Sequence, residues 1–310
     1  MQGRKIEERE LLKAVSRSFY LSLRLLPGPM REPLSLGYLL ARASDTLADT
    51  AAVAVAQRAE LLTEFGEVVA GTRAVGDFQE RLLRDFVPQQ RDAGEARLLG
   101  GVTALVDWLE EQPVEIAAAI REVLATIVAG QRWDLEFFAG GGVRVVDAAA
   151  LEKYTYQVAG CVGAFWTRIG FATMGEKFAR GGEAELTRLG VSYGCGLQLV
   201  NILRDVERDR QLGRCYLPVD AAGDADALVR VRRGWIERAR VCLADGLSYA
   251  AQVSSRRVRT ATVLPALLGM ETLDKLARAS TAELAVGVKI GRGEVYASLW
   301  QAMIFRQRGR

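Results

Sequence analysis

The chain has no histidine and only four cysteines among its 310 residues. Without histidine there is no Ser-His-Asp or Cys-His nucleophile system and no imidazole-ligated zinc, which leaves carboxylate, Tyr, Lys and Arg chemistry. Cys161, Cys195, Cys215 and Cys242 show no C-x-x-C spacing, so they read as buried free thiols in a reducing compartment. No apolar run approaches the roughly 20 residues needed to span a bilayer. The opening segment MQGRKIEERELLK is charged from the start and lacks the apolar centre of a signal peptide. The expectation is a cytoplasmic protein, soluble or peripheral at the inner membrane face. Its basic ending, FRQRGR, offers a small contact for anionic lipid. Net charge is +3, from 41 basic and 38 acidic residues, and no basic face is concentrated enough to suggest nucleic acid.

What the chain does have is helical pattern. Half of it is hydrophobic, with apolar residues recurring at three- and four-residue spacing between Pro and Gly punctuation. The periodicity predicts helices over 5–23, from about 34 through Asp49, and over 56–71, 75–86, 94–109, 113–137, 147–175, 183–212, 224–253, 257–269, 271–279 and 292–305. Between the first two, LLPGPMREP carries Pro27, Gly28, Pro29 and Pro33, which forbid continuation. Gly140 to Gly142 mark a loop. No run of alternating β-branched segments is present, so the fold class is all-α. With no internal repeat and no long linker, one helical domain over 1–310 is the simpler organisation.

Two aspartate pairs share one spacing: Asp45/Asp49 in RASDTLADT and Asp205/Asp209 in QLVNILRDVERDRQLGRCYLP. Residues four apart on a helix are neighbours, with Cβ atoms about 5–6 Å apart, so each pair puts two carboxylates on one face. Such a pair repels itself and calls for a cation. Hard oxygen ligands without Cys or His point to Mg²⁺, which bridges protein carboxylates to phosphate oxygens. Among 15 aspartates, about one such pair is expected by chance. A third pair, Asp220/Asp224 in LPVDAAGDAD, follows Pro218 and encloses a glycine, so it reads as a turn and helix cap.

The neighbours of the other two pairs set them apart. On a helix over 191–209, Gln198, Asn201, Asp205 and Asp209 fall at i, i+3, i+7 and i+11, one continuous face. Short amides and carboxylates there, in place of long Lys and Glu, suggest a lined cavity. Gly194 and Gly196 interrupt the same helix, each costing about 1 kcal/mol relative to Ala. Something must approach that backbone, and both a ligand and a packing notch between helices remain open. Arg42 shares the face of Asp45, Arg204 adjoins Asp205, and Arg214 follows in GRCYLP. Each alone reads as a surface arginine; clustered beside carboxylates they suit bidentate phosphate contact. In YTYQVAGCVGAFW, Tyr154, Val158 and Val162 follow one another at four-residue steps, with Gly160 and Gly163 adjacent. A cavity for a hydrocarbon tail and ordinary core packing explain that pattern equally well.

SRSFYLSLRLLP (16–27), LLARASDTLADT, YTYQVAGCVGAFW, QLVNILRDVERDRQLGRCYLP and GVKIGRGEVYASL occur in this order over nearly the whole chain. Together they resemble the head-to-head trans-isoprenyl diphosphate synthases, comprising squalene, dehydrosqualene and phytoene synthases. The resemblance implies an all-α isoprenoid synthase fold around a central cavity, with the two aspartate motifs facing each other across its mouth. It implies Asp45, Asp49, Asp205 and Asp209 as catalytic ligands of Mg²⁺ and diphosphate, and Ser16, Arg17, Arg42, Arg204 and Arg214 as diphosphate-binding residues. Tyr154 matches the tyrosine of the first half-reaction, and Gln198 and Asn201 match polar residues of the cavity wall. Phe19 and Tyr38 could turn π faces to a cation. One departure is Arg208, where members often have an acidic residue; Glu207 stands one step earlier, and both ligand positions are intact.

The implied substrate is farnesyl diphosphate, two molecules of which condense through presqualene diphosphate before NADPH-dependent reduction to squalene. VKIGRGEVYASL, with Lys289 and Arg292, resembles the squalene synthases more than the phytoene synthases and places those two residues at the NADPH. No G-x-G-x-x-G supports nicotinamide binding independently. Dehydrosqualene, presqualene diphosphate and phytoene remain open as products. A prenyl diphosphate hydrolase is the rival from another reaction class, and a non-catalytic helical binding protein is a third.

Overall fold

The structure, a computed structural model, describes residues 2–16, 19–140, 144–219, 225–280, 283–284 and 287–305, apart from the side chains of 2–8, 19, 225, 226 and 292. The chain packs as two compact units, 1–136 and 137–310. Arg17, the side chains of Phe19 and Arg292, Gly141, Gly142, the Asp220/Asp224 pair and the arginines of FRQRGR lie outside the described residues.

The first unit comprises α1 (Gln2–Val15), α2 (Phe19–Leu25), α3 (Gly28–Asp49), α4 (Val55–Ala70), α5 (Val75–Arg81), α6 (Ala93–Gly100), α7 (Val102–Glu110) and most of α8 (Val114–Phe138). α5 runs on through a π turn, Leu82–Phe86, and a 3₁₀ turn, Val87–Gln89. α3 is its centre, packing on α4, α6 and α7. Its Met30, Leu36, Leu39, Leu40 and Leu47 are fully buried, as are Leu62, Phe65 and Phe78 around it.

The proline segment behaves differently from its sequence reading. Pro27 precedes α3 and Pro29 sits in its first turn, where the missing N–H has no partner to lose. The helix therefore begins at Gly28, earlier than expected, with Pro33 inside it. Pro33 forfeits one bond to the carbonyl four residues back, which burial of Met30, Leu34 and Leu36 on the same segment offsets. The helix expected over 94–109 is two helices hinged at Gly100 and Gly101. Asp92 caps the first, accepting from the backbone N–H groups of Gly94 and Glu95.

The second unit contains α9 (Ala148–Thr155), a π turn (Tyr156–Gly160), α10 (Cys161–Met174), α11 (Glu183–Gln211), α12 (Ala225–Gln252), α13 (Arg256–Arg278) and α14 (Arg292–Ile304). Two short strands that the sequence did not announce, β1 (Arg144–Val145) and β2 (Arg214–Cys215), pair in parallel. Two residues each are too few for an alternating pattern to register. α13 runs unbroken through Pro265 and Gly269, where two helices were expected.

α11 is the axis of this unit, packed on α10, α12 and α13. The approach is close enough to exclude side chains. A Cβ on Gly163 would stand 1.9 Å from the Gly190 carbonyl oxygen, one on Gly194 would stand 2.2 Å from that of Ala159, and one on Gly196 would stand 2.6 Å from Cys242 Cβ. Neighbouring helices therefore fill the notches at Gly194 and Gly196. The four cysteines are free, and burial pushes the Cys161 thiol up to about 12, which makes it inert as a nucleophile. No helix among the described residues is long and apolar enough to cross a membrane.

Candidate active site

The first aspartate pair lies on a polar stripe of α3. Tyr38, Arg42, Asp45 and Asp49 fall at i, i+4, i+7 and i+11 of this helix. The Tyr38 hydroxyl donates to the Val15 carbonyl at 3.3 Å, and burial holds it above the ordinary phenol value against the pull of Arg42. The buried Ser16 hydroxyl donates to the Leu12 carbonyl where α1 ends and also bonds the Tyr38 side chain. Arg42 is ion-paired with Glu95 of α6, while its Nε is buried with no hydrogen-bond partner among the described residues.

Asp45 accepts a hydrogen bond of 2.5 Å from Gln131 Nε2 of α8. Although the residue keeps some solvent access, its carboxyl group is closely enclosed. Burial, then the charge of Asp49, push that carboxyl up to about 7, with Arg42 and Gln131 pulling the other way. Asp49 is exposed at the end of the helix and lines a cavity of 280 Å³ with Arg42, Thr46, Gln90, Arg91 and Glu95.

This donor set fits Mg²⁺. A carboxyl raised by burial and a like charge is one whose ionised form lacks a counter-cation, and Gln131 Oε1 beside it is buried without a partner. Among the described residues no group of three or more Cys, Asp or Glu side chains forms a metal cluster. Mg²⁺ needs none, because it keeps several waters and is held through one or two carboxylates plus substrate phosphate.

The second pair lies on the C-terminal half of α11. Arg204 grips the carboxylate of Asp205, the next residue, with Nε–Oδ1 at 3.0 Å and Nη2–Oδ2 at 2.7 Å. Burial opposes this contact, which nonetheless raises the Arg204 pKa above its ordinary value. Asp209 stands beside a narrow cleft with Arg210, Arg214 and Tyr216. Gln198 is half-buried and Asn201 exposed on the same stripe. Arg214 is held in β2 in register with Arg144 of β1.

Tyr154, near the end of α9, stacks on Tyr216 with ring centroids 5.4 Å apart and planes 15° from parallel. Phe138 also meets Tyr216, edge-on with ring centroids 5.2 Å apart. The π turn that follows Tyr154 breaks the four-residue step that would have carried one face through Val158 and Val162. Lys289 is exposed; it lines a cavity of 700 Å³ of mixed sign, with Lys275, Arg278, Glu271, Asp274 and Glu283. Its carbonyl accepts from Lys275 Nζ at 3.1 Å.

Three participants were missed in the sequence: Gln131, Glu95 and Tyr216. Gln131 had a signal, since Ile127, Gln131 and Leu135 follow at four-residue steps and all three are buried. A lone amide on an apolar stripe asks for a partner. Glu95 and Tyr216 carried none.

The all-α architecture is that of the isoprenoid synthase fold. The model of the squalene/phytoene synthase family matches residues 12–301, and the chain belongs to that family of prenyltransferases. It is similar to the presqualene diphosphate synthase of Rhodopseudomonas palustris, with 28% identity over 94% of this chain and 94% of that protein. It is also similar to the bifunctional lycopene cyclase/phytoene synthase of Pyrenophora tritici-repentis, with 30% identity over 69% of this chain; the match spans only 34% of that longer protein. The solved complex of TcSQS with the ligand BPH1237 matches its fold with a TM-score of 0.74, at 22% identity over 96% of this chain and 85% of that one.

Proposed function

We propose that the chain, acting as one domain over 1–310, condenses two farnesyl diphosphates head to head through presqualene diphosphate and reduces that intermediate to squalene with NADPH. The observation that carries the reading is Asp45: an aspartate enclosed beside a second one, with its pKa raised to about 7 and an arginine on the same helical face. Asp45, Asp49, Asp205 and Asp209 would hold Mg²⁺, which when bound supplies the electrophilic pull on a departing diphosphate.

The residues of the chain do the rest. Arg42, Arg204 and Arg214, with Ser16 and Arg17, bind and orient diphosphate oxygens. Cleavage of the C1–O bond of one prenyl diphosphate leaves an allylic cation, which the C2=C3 double bond of the second molecule attacks. Loss of a proton closes the cyclopropane. Without histidine, the Tyr154 hydroxyl or the released diphosphate takes that proton, and stacking on Tyr216 keeps the phenol in place. Phe19 and Tyr38 would supply π faces to the positive charge, while Gln198 and Asn201 line the path. Lys289 and Arg292 bind NADPH in the reductive half. Four free thiols suit a reducing cytoplasm, and a hydrocarbon product suits peripheral contact with a membrane.

A second reading is favoured by the relative named a presqualene diphosphate synthase, which this chain matches almost end to end: the reaction would stop at the cyclopropyl diphosphate. Incubation with farnesyl diphosphate and Mg²⁺, with and without NADPH, separates the two. Squalene that forms only with NADPH supports the first reading, and presqualene diphosphate under both conditions supports the second. Dehydrosqualene without NADPH, or farnesol alone, overturns both. Asp205→Ala is expected to abolish turnover with helical content unchanged.

A further inference from the structure

α14 turns an apolar face to solvent. From Val295 to Ile304 no residue is charged. Tyr296, Trp300 and Ile304, about one helical turn apart, are 71%, 63% and 55% exposed, and Met303 beside them is 38% exposed. The opposite face is already used, since Leu299, Ala302 and Phe305 pack with Ala250, Val263 and Leu264. Core packing therefore does not account for the outward aromatics, and a solvated helix would carry Lys and Glu there.

Arginines gather at the C-terminal end of the same helix. Arg256 Nη2 donates to the Met303 carbonyl at 3.3 Å, and Arg259 lies close enough to both Arg256 and Arg180 to feel their charge. Burial, then the like charges of Arg256 and Arg180, lower the pKa of Arg259, whose Nε is buried without a hydrogen-bond partner. A field of this sign calls for an anion.

We propose that this surface docks on an anionic phospholipid bilayer, with Tyr296, Trp300, Met303 and Ile304 in the interface and Arg180, Arg256 and Arg259 on the headgroups. Tyr and Trp rings favour the membrane–water boundary, and a helix with one apolar face lies in the plane of that boundary. Basic side chains next to it are drawn to acidic lipids within a Debye length. A second copy of the chain would cover the aromatics yet bring no anion to the arginines, so lipid satisfies both halves of the surface. Docking deepens the peripheral membrane contact proposed above but stands on this surface alone, whatever the product of the active site.

Co-sedimentation of the full chain with phosphatidylcholine vesicles, with and without phosphatidylglycerol, tests the proposal. Binding is expected to the anionic vesicles alone and to disappear at high salt. Tyr296→Ser with Trp300→Ser, and separately Arg256→Gln, are each expected to weaken partitioning by about fivefold or more. The first pair is exposed, so circular dichroism should show the fold retained. Wild type remaining in the supernatant with anionic vesicles, or variants sedimenting as well as wild type, overturns the proposal. So does a dimer in analytical ultracentrifugation that Trp300→Ser dissolves. Turnover of farnesyl diphosphate in detergent is a separate readout: lost turnover with intact docking would count against the catalytic reading alone.

Discussion

Arg204 and Asp205, adjacent in sequence, form a two-pronged ion pair in which both carboxylate oxygens are already taken. A static pair this exposed is worth about 0–1 kcal/mol. On the proposed function its value would lie in exchange: a cation on Asp205 would release the guanidinium for diphosphate. Arg204→Lys keeps the charge but loses the fork. Charge-assisted bonds of this kind are worth about 1.5–3 kcal/mol, so kcat/KM should fall about 10–100-fold while the melting temperature hardly moves. Steady-state kinetics with farnesyl diphosphate check this, and wild-type kcat/KM in the variant would make the pair merely structural.

Asp45 gives a pH dependence of stability in the metal-free chain. Its pKa is about 7 when folded, against an ordinary 3.8, so the fold prefers the neutral carboxyl. The stability this contributes is fully present below about pH 4 and is lost as pH rises through about 7. Asp45→Asn cannot ionise. It should melt several degrees above wild type near pH 8 in chelator, each ~1 kcal/mol being about 2–4 °C, and converge with it near pH 4. Mg²⁺ with inorganic diphosphate should narrow the gap by stabilising wild type. Scanning fluorimetry reads both effects, and equal melting at pH 8 would contradict them.

The two aspartate pairs were legible because helical periodicity is local: four residues apart means one face wherever the helix sits. So was the stripe through Gln198, Asn201, Asp205 and Asp209, since one helix carries it all. The glycines of α11 showed that something comes close but not what, because Gly163 and Ala159 reach Gly190 and Gly194 only through the packing of α10 and the π turn on α11. Pro33 misled for the opposite reason. Its local cost is real, but burial along α3 exceeds it. Gln131, 86 residues from Asp45, meets its partner only through tertiary packing.

Gln131 therefore yields its own prediction. Its Nε2 fixes one carboxylate oxygen of Asp45. Partners standing behind a metal ligand typically cost 10–100-fold in metal affinity when removed, so with Asp45 as the proposed ligand Gln131→Leu should weaken Mn²⁺ binding by about that factor. Electron paramagnetic resonance of free Mn²⁺ measures it without turnover. Unchanged affinity would reduce Gln131 to a core amide.

Two glycine substitutions should move stability in opposite directions. At Gly163 an added methyl meets the Gly190 carbonyl oxygen at 1.9 Å, and backbone cannot yield as a side chain can. Overpacking of this kind costs about 1–3 kcal/mol or more, so Gly163→Ala should lower the melting temperature by several degrees. It should also cut kcat, because displacing α10 drags the π turn and Tyr154 behind it. Gly234 lies exposed within α12, and a methyl added there would meet nothing within 4 Å. At that position Ala relieves only the backbone entropy of glycine, about 0.5–1 kcal/mol, and Gly234→Ala should melt higher with kcat unchanged. Thermal melts of the two variants separate close helix approach from helix propensity. A stable, active Gly163→Ala would mean that α10 and α11 stand further apart than the glycine contact requires.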